Sequence, residues 1–173
     1  MKRGLLIRSM VSVLALPVMV TGVLPAWLIH TRGYAIGAGL PMPLNLIVAA
    51  VGIAIAAIGL FLAAGAMRRF SNEGEGTLAP WDPPRKLVVR GTYRYVRNPM
   101  ISGVLGILLG EAFFFSSMAI FKWFVFFTIL NAIYMPLSEE PRLAARFGDD
   151  YLEYKCHVAR WLPRLTPWHP DTK

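Results

Sequence analysis

The chain of 173 residues is 55% hydrophobic and only 16% charged, and its mean hydropathy is +0.50. A soluble domain of this length usually carries about a quarter charged residues, so the composition indicates an integral membrane protein. The aromatic content excludes a disordered chain. A single cysteine excludes a disulfide framework, and three widely separated histidines match no metal-ligand spacing. We therefore expect a single membrane domain over residues 1–173, without a metal site.

The first two apolar stretches predict transmembrane helices over about 11–29 and 44–67. Lys2 and Arg3 precede the first stretch, which is the usual start of a signal peptide. Its apolar run of about 19 residues is long for a signal, so we interpret it as a span and keep a cleaved signal as the alternative.

The apolar stretch Met100–Leu137 is long enough for two crossings of a hydrocarbon core about 30 Å thick. Polar residues near its middle predict a tight turn close to Ile120, between spans at 100–118 and 121–137. A cytoplasmic loop at 71–99 and an amphipathic helix at 139–158 complete the prediction. The expected fold is all-α, with about four transmembrane helices, the last two forming a helical hairpin.

The basic residues predict the orientation of these spans. Sixteen of the eighteen Lys and Arg residues fall on one side of the predicted membrane, and only Arg32 and Lys122 fall on the other. Because basic loops stay in the cytoplasm, we expect both termini, the loop 71–99 and the helix 139–158 to be cytoplasmic. Topology and attraction to the lipid bilayer explain the net charge of +8 better than nucleic-acid binding does.

Asn98-Pro99 predicts the start of the third span, because Asn is a preferred helix cap and Pro suits the first helical position. The free N–H groups and the positive dipole end of that helix would then lie beside Arg94 and Arg97. Such a helix start favours a carboxylate or phosphate.

Two adjacent carboxylates, Glu139 and Glu140, follow the fourth span directly. They fit either the first turn of a helix capped by Ser138 or a contact with a cationic or hydroxyl-bearing ligand. Glu111 lies inside the third span, where a charge is costly. We predict a hydrogen bond between Glu111 and Asn131 across the hairpin, with a substrate-facing role for Glu111 as the alternative.

Three motifs follow one another in the second half of the chain. They are Gly91-x-Tyr93-x-x-x-Arg97-Asn98-Pro99-x-x-x-Gly103, Glu139-Glu140, and Phe147-Gly148-x-x-Tyr151-x-x-Tyr154. Over about Gly91–Pro163 they closely resemble the motifs of the isoprenylcysteine carboxyl methyltransferase family. That family belongs with a wider group of membrane methyltransferases that includes phospholipid N-methyltransferases.

The resemblance implies S-adenosylmethionine as methyl donor, bound at the cytoplasmic membrane face under the C-terminal helix. Carried over by position, the cofactor residues are Tyr95, Val96, Arg97, Asn98, Pro99, Gly103, Glu139 and Glu140. Two positions depart from the family pattern. Asn98 stands where the family often has His, and Ile101 stands where it often has an aromatic residue, so a histidine-based mechanism does not transfer.

The function we expect is methyl transfer to a lipophilic small-molecule acceptor in the membrane. A carboxylate, prenylcysteine-like or on another small amphiphile, is favoured because it needs no general base. From charge alone, Arg94 and Arg160 are the candidate catalytic residues that would orient it. The alternatives are a phospholipid amine N-methyltransferase, a reductase of the sterol-reductase type using NADPH, and a non-catalytic membrane scaffold. Neither the acceptor nor the oligomeric state follows from the sequence.

Overall fold

A computed structural model describes residues 16–33, 40–73, 87 and 89–169. These residues form helices and no strand, which confirms the predicted all-helical class. A π-helical turn, Met19–Val23, leads into the first helix. The helices are α1 (Leu24–Arg32), α2 (Met42–Glu73), α3 (Pro99–Phe114), α4 (Met118–Tyr134) and α5 (Glu140–His157). The start of the predicted first span and about half of the predicted cytoplasmic loop, at 74–86 and 88, lie outside the described residues.

Two helical runs in the described part of the chain are long and apolar enough to cross a membrane. They are Met42–Arg68 in α2 and the run Met118–His157, which begins with α4. The helix α3 is also apolar but has only 16 residues. A membrane protein is therefore supported, and the count of four spans stays a prediction.

The turn between α3 and α4 lies earlier in the chain than the sequence suggested. α3 ends at Phe114 and α4 begins at Met118, so the turn falls at 115–117 and not near Ile120. The hydroxyl of Ser117 accepts a hydrogen bond from the N–H of Ile120 at 3.4 Å. This cap starts α4 ahead of Lys122, whose charge had suggested a later turn.

The chain divides into two compact units, of which the first comprises Met1–Phe61 and Gly103–Thr128. Within it α2 and α3 approach backbone to backbone at two pairs of glycines. A Cβ added at Gly59 would lie 2.6 Å from the carbonyl oxygen of Gly103, and one at Gly52 would lie 2.7 Å from that of Gly110. Small residues permit such close contact between apolar helices, and the partner helix here belongs to the same chain.

The same unit contains Glu111, whose Oε2 is buried without a hydrogen-bond partner among the described residues. Asn131 is buried in the second unit. The expected hydrogen bond between Glu111 and Asn131 stays a prediction.

The second unit comprises Leu62–Ser102 and Ile129–Lys173. Its core is built on Tyr151, Tyr154 and Val158, against which apolar side chains from α5 and from the segment before α3 pack. A π-helical turn, Met135–Glu139, joins α4 to α5 without interrupting the helical backbone. Ser138 therefore caps no new helix, and that interpretation of the sequence is wrong, because α5 continues from the preceding turn.

The helix α5 changes direction at Gly148, which has φ 55° and ψ −134°. A straight helix would separate residues 140 and 155 by about 22 Å along its axis. The ammonium of Lys155 nevertheless lies 2.8 Å from Oε2 of Glu140. The break at Gly148 thus brings the two halves of α5 close enough for this ion pair.

Candidate functional site

Asn98 caps the start of α3. Its Oδ1 accepts a hydrogen bond from the N–H of Ile101 at 3.2 Å, and its carbonyl accepts one from the N–H of Ser102 at 3.0 Å. Pro99 is fully buried at the first helical position, where its missing N–H costs nothing. The predicted helix start is confirmed. The hydroxyl of Ser102 donates to the carbonyl of Trp161 at 3.0 Å, which connects α3 to residues further along the chain.

Residues 158–169, which we call the C-terminal segment, lie alongside residues 93–98. Four backbone hydrogen bonds of 2.8–3.1 Å join the two segments. The donor and acceptor pairs are Arg97 with Ala159, Asn98 with Arg160, Arg164 with Tyr95, and Trp168 with Arg94. These bonds fix the backbone of the segment that the resemblance assigns to the cofactor pocket.

Glu140 is the centre of a charged cluster at the start of α5. Its Oε1 accepts hydrogen bonds from Nη1 of Arg97 at 3.0 Å and from Nε of Arg160 at 2.7 Å. Its Oε2 pairs with Lys155. The Glu140 side chain is only 8% exposed, so three cations surround one buried carboxylate. We call these four residues the Glu140 cluster.

The cations keep Glu140 ionised in spite of its burial. Burial alone would raise the pKa of this carboxyl group. The hydrogen bonds from Arg160 and Lys155 and the positive charge of Arg97 outweigh that effect and lower the pKa to about 2. Glu140 is therefore a carboxylate at any physiological pH, and its lone pairs are largely used within the protein.

Glu139 lies in a different environment. Burial and the neighbouring carboxylate of Glu140 raise its pKa, and the charge of Arg160 offsets this only in part. Among the described residues, no group donates a hydrogen bond to its carboxylate. Of the two adjacent acids, Glu139 is therefore the one whose carboxylate oxygens can still accept hydrogen bonds from a ligand.

The two arginines proposed as catalytic both contact the protein itself. Arg94 donates from Nε to the carbonyl of Trp168 at 2.9 Å and contacts His169 through Nη2. Arg160 donates from Nε to Glu140, and neither of its Nη atoms has a hydrogen-bond partner among the described residues. Arg160 therefore retains more donor capacity than Arg94 does.

The other residues predicted to line the cofactor pocket differ in their contacts, their burial and the unit to which they belong. The carbonyl of Tyr95 accepts a hydrogen bond from the N–H of Arg164, and the side chain of Val96 is fully buried. Arg97 donates from Nε to the carbonyl of Val158 at 2.7 Å in addition to its bond with Glu140. Gly103 belongs to the first unit, where its carbonyl faces Gly59. The structure thus groups Arg97, Asn98 and the two glutamates in one unit, and Gly103 in the other.

Lys155 and Tyr151 belong to this arrangement although the sequence did not single them out as site residues. The hydroxyl of Tyr151 accepts a hydrogen bond from Nη1 of Arg97 at 3.3 Å. Lys155 reaches Glu140 only because α5 turns at Gly148. The motif Gly148-x-x-Tyr151 is the one sequence feature that marks this stretch.

Residues 47–150 match the model of the phospholipid methyltransferase family, which is more than half of the chain. The chain belongs to the phospholipid methyltransferase family. This is a family of membrane methyltransferases related to the isoprenylcysteine carboxyl methyltransferases, so the resemblance seen in the sequence is confirmed. No curated protein and no solved structure matches the chain.

The match to the phospholipid methyltransferase family includes Arg97, Asn98 and both glutamates but ends at residue 150. Lys155, Arg160 and the C-terminal segment lie beyond it. Two of the three cations around Glu140 therefore come from a part of the chain outside the family match.

Proposed function

We propose that this chain is an S-adenosylmethionine-dependent methyltransferase that modifies a lipophilic acceptor at the cytoplasmic face of a membrane. The observation that carries the proposal is the partly buried carboxylate of Glu139, which accepts no hydrogen bond from the described residues and lies next to the Glu140 cluster. Membership of a methyltransferase family supports the reaction type.

The proposal includes a membrane topology of four spans. Both termini, the loop 71–99 and the helix 139–158 would lie in the cytoplasm, in keeping with the distribution of Lys and Arg. The two long apolar helical runs and the shorter apolar α3 support such an arrangement.

The residues of the second unit fit the polar groups of the proposed cofactor. S-adenosylmethionine supplies a methyl group activated by its sulfonium, and it carries a carboxylate and an ammonium. Glu139 would hold the ammonium, because a carboxylate without a partner gains most from a cation. Nη2 of Arg97, which has no partner among the described residues, and the start of α3 would hold the carboxylate.

Glu140 acts in this proposal as a positioning residue. It holds Arg97 and Arg160 in place through the hydrogen bonds of the Glu140 cluster. Tyr95, Val96 and Asn98 define the backbone beside it.

We propose a lipophilic carboxylate as the first candidate acceptor. It is already anionic, so the protein needs only to align it and exclude water. The free Nη atoms of Arg160 would orient it, since a guanidinium binds a carboxylate in bidentate fashion. A phospholipid amine is the second candidate, which the family description favours.

Isothermal titration of the detergent-purified protein with S-adenosylmethionine tests the cofactor assignment. We expect saturable binding that Glu139→Gln weakens about tenfold or more, because it removes a charge-assisted contact without changing side-chain size. Glu153→Gln is the matched control, since Glu153 is exposed on α5, which directly follows Glu139, and it should bind as the wild type does. Absence of binding to folded wild-type protein would overturn the proposal and leave the scaffold.

The pH dependence of this titration adds a second readout. Because the pKa of Glu139 is raised, its carboxylate takes up a proton at a higher pH than an ordinary glutamate does. Affinity should therefore fall as the pH is lowered through that raised pKa. The Glu139→Gln protein should show no such dependence.

The acceptor class is tested by methylating membrane lipid extracts with S-adenosylmethionine labelled in its methyl group. Methyl esters release the label as methanol in mild alkali, whereas N-methyl groups keep it. Alkali-labile label supports the carboxylate, and alkali-stable label in the phospholipid fraction supports the amine. The Glu139→Gln protein provides the background for both.

A further inference from the structure

The first unit contains an open cavity of about 800 Å³ between the end of α1 and the start of α4. Pockets for small-molecule ligands are commonly about 300–1,000 Å³ in volume. The lining combines apolar and polar residues. Its main contributors are Leu28, Arg32, Ser116, Ser117, Met118 and Lys122.

Two cations line this cavity without an ion pair or hydrogen bond to any described residue, the guanidinium of Arg32 and the ammonium of Lys122. The first unit offers almost nothing to neutralise them, because Glu111 is the one acidic residue in its sequence. A cation at the C-terminal end of a helix is ordinary. Arg32 and Lys122 are both exposed, and the second cation at the same cavity, also without an acid, favours an anionic ligand.

The start of α4 adds hydrogen-bond donors to the same cavity. The backbone N–H groups of Met118 and Ala119 belong to the first turn and have no partner among the described residues. Ser117 uses its hydroxyl oxygen to cap Ile120, which leaves the hydroxyl proton for a ligand. Two cations, two amide N–H groups and a hydroxyl match the oxygens of a phosphate group.

We propose that this cavity binds the phosphate of an anionic phospholipid, with Arg32 and Lys122 as its charged contacts. The lipid is favoured over free phosphate because Leu28 and the exposed Met118 present apolar surface beside the donors. The site is separate from the Glu140 cluster, whose residues all belong to the second unit. It would retain a structural lipid and takes no part in methyl transfer.

Native mass spectrometry of the full chain in mixed micelles tests this site with phosphatidylglycerol as the probe. The double variant Arg32→Gln/Lys122→Gln should bind phosphatidylglycerol about thirtyfold more weakly, since each basic residue contributes about fivefold near an anionic lipid. Arg90→Gln/Arg142→Gln removes the same charge from two exposed residues of the second unit and should bind as the wild type does. Equal weakening in both double variants would overturn the proposal.

Two further measurements test whether charge is what binds the lipid and whether the ligand is a phospholipid or free phosphate. Arg32→Lys keeps the charge and should stay within about threefold of the wild type, whereas a loss as large as that of the double variant would overturn the role assigned to charge. Inorganic phosphate, titrated into lipid-free micelles, should bind at least about tenfold more weakly than phosphatidylglycerol because it has no apolar part. Phosphate binding as tight as lipid binding would overturn the assignment to a phospholipid.

Discussion

Nη1 of Arg97 lies 3.0 Å from Oε1 of Glu140, and this bond joins the residue before the cap of α3 to the first residue of α5. Both side chains are largely buried, at 11% and 8% exposure. Removing one partner of a buried ion pair leaves the other charge uncompensated, which costs about 3–5 kcal/mol. The position of the loop before α3 thus depends on a carboxylate that is distant in the sequence.

We expect Glu140→Gln to lower the free energy of unfolding by about 3–5 kcal/mol, because it leaves Arg97, Lys155 and Arg160 without a counter-charge. Thermal melting of the detergent-purified protein measures this. Glu153→Gln, an exposed change on the same helix, should stay within about 0.5 kcal/mol of the wild type. If both variants have the melting temperature of the wild type, the Glu140 cluster does not stabilise the fold.

Stability should also fall in acid because of Glu140. Its pKa is about 2 in the folded protein against an ordinary value of 4.5, so its contribution is complete above about pH 5 and is lost as the pH falls towards 2. The loss amounts to about 2–3 kcal/mol. Glu139, whose pKa is raised, acts in the opposite direction at higher pH. The difference in melting temperature between wild type and Glu140→Gln should therefore shrink between pH 5 and pH 3, and a constant difference would contradict the assignment.

Gly148→Ala should destabilise the protein by about 1–3 kcal/mol, because φ 55° with ψ −134° is a conformation that residues with a Cβ rarely adopt. A Cβ there would meet no other atom within 4 Å, so the cost is in the backbone alone. Since the break positions Lys155, the stability of Gly148→Ala should respond less to Lys155→Gln than the wild type does. Equal responses in a double-mutant cycle would contradict this coupling.

Gly59→Ala tests the contact between α2 and α3. Its Cβ would lie 2.6 Å from the carbonyl oxygen of Gly103 and 2.7 Å from the N–H nitrogen of Ile107. The helices would have to move apart, at a cost of about 1–3 kcal/mol. Gly22→Ala is the matched control, because its nearest neighbour would be 3.9 Å away. We expect Gly59→Ala to lower the melting temperature and Gly22→Ala to leave it unchanged.

The start of α3 could be predicted because its signals are local. Asn98 and Pro99 specify a cap and a first turn from adjacent positions. The all-helical class could also be predicted, from the composition of the chain and the length of its apolar stretches. The position of the hairpin turn was wrong by a few residues, because Lys122 suggested a boundary that the Ser117 cap sets earlier.

The Glu140 cluster could not be predicted in full, because its members are distant in the chain. Arg97 lies 43 residues before Glu140, and Arg160 lies 20 residues after it. Lys155 would be out of reach on a straight helix, and the interior glycine Gly148 is the one sign of a turn in residues 139–158, which the sequence predicted as one helix. The same distance explains why the sequence assigned Glu139 and Glu140 one role, whereas only Glu140 is surrounded by cations.

The pairing of residues 93–98 with the C-terminal segment has a consequence for synthesis in the cell. Arg97 is translated 61 residues before its acceptor Val158, which at about 5–20 residues per second is a delay of roughly 3–12 s. The contact between α2 and α3 needs no residue beyond 114 and can form during that interval. A chain that has been synthesised only as far as the end of α3 can therefore pair α2 with α3 while its charged cluster is still incomplete.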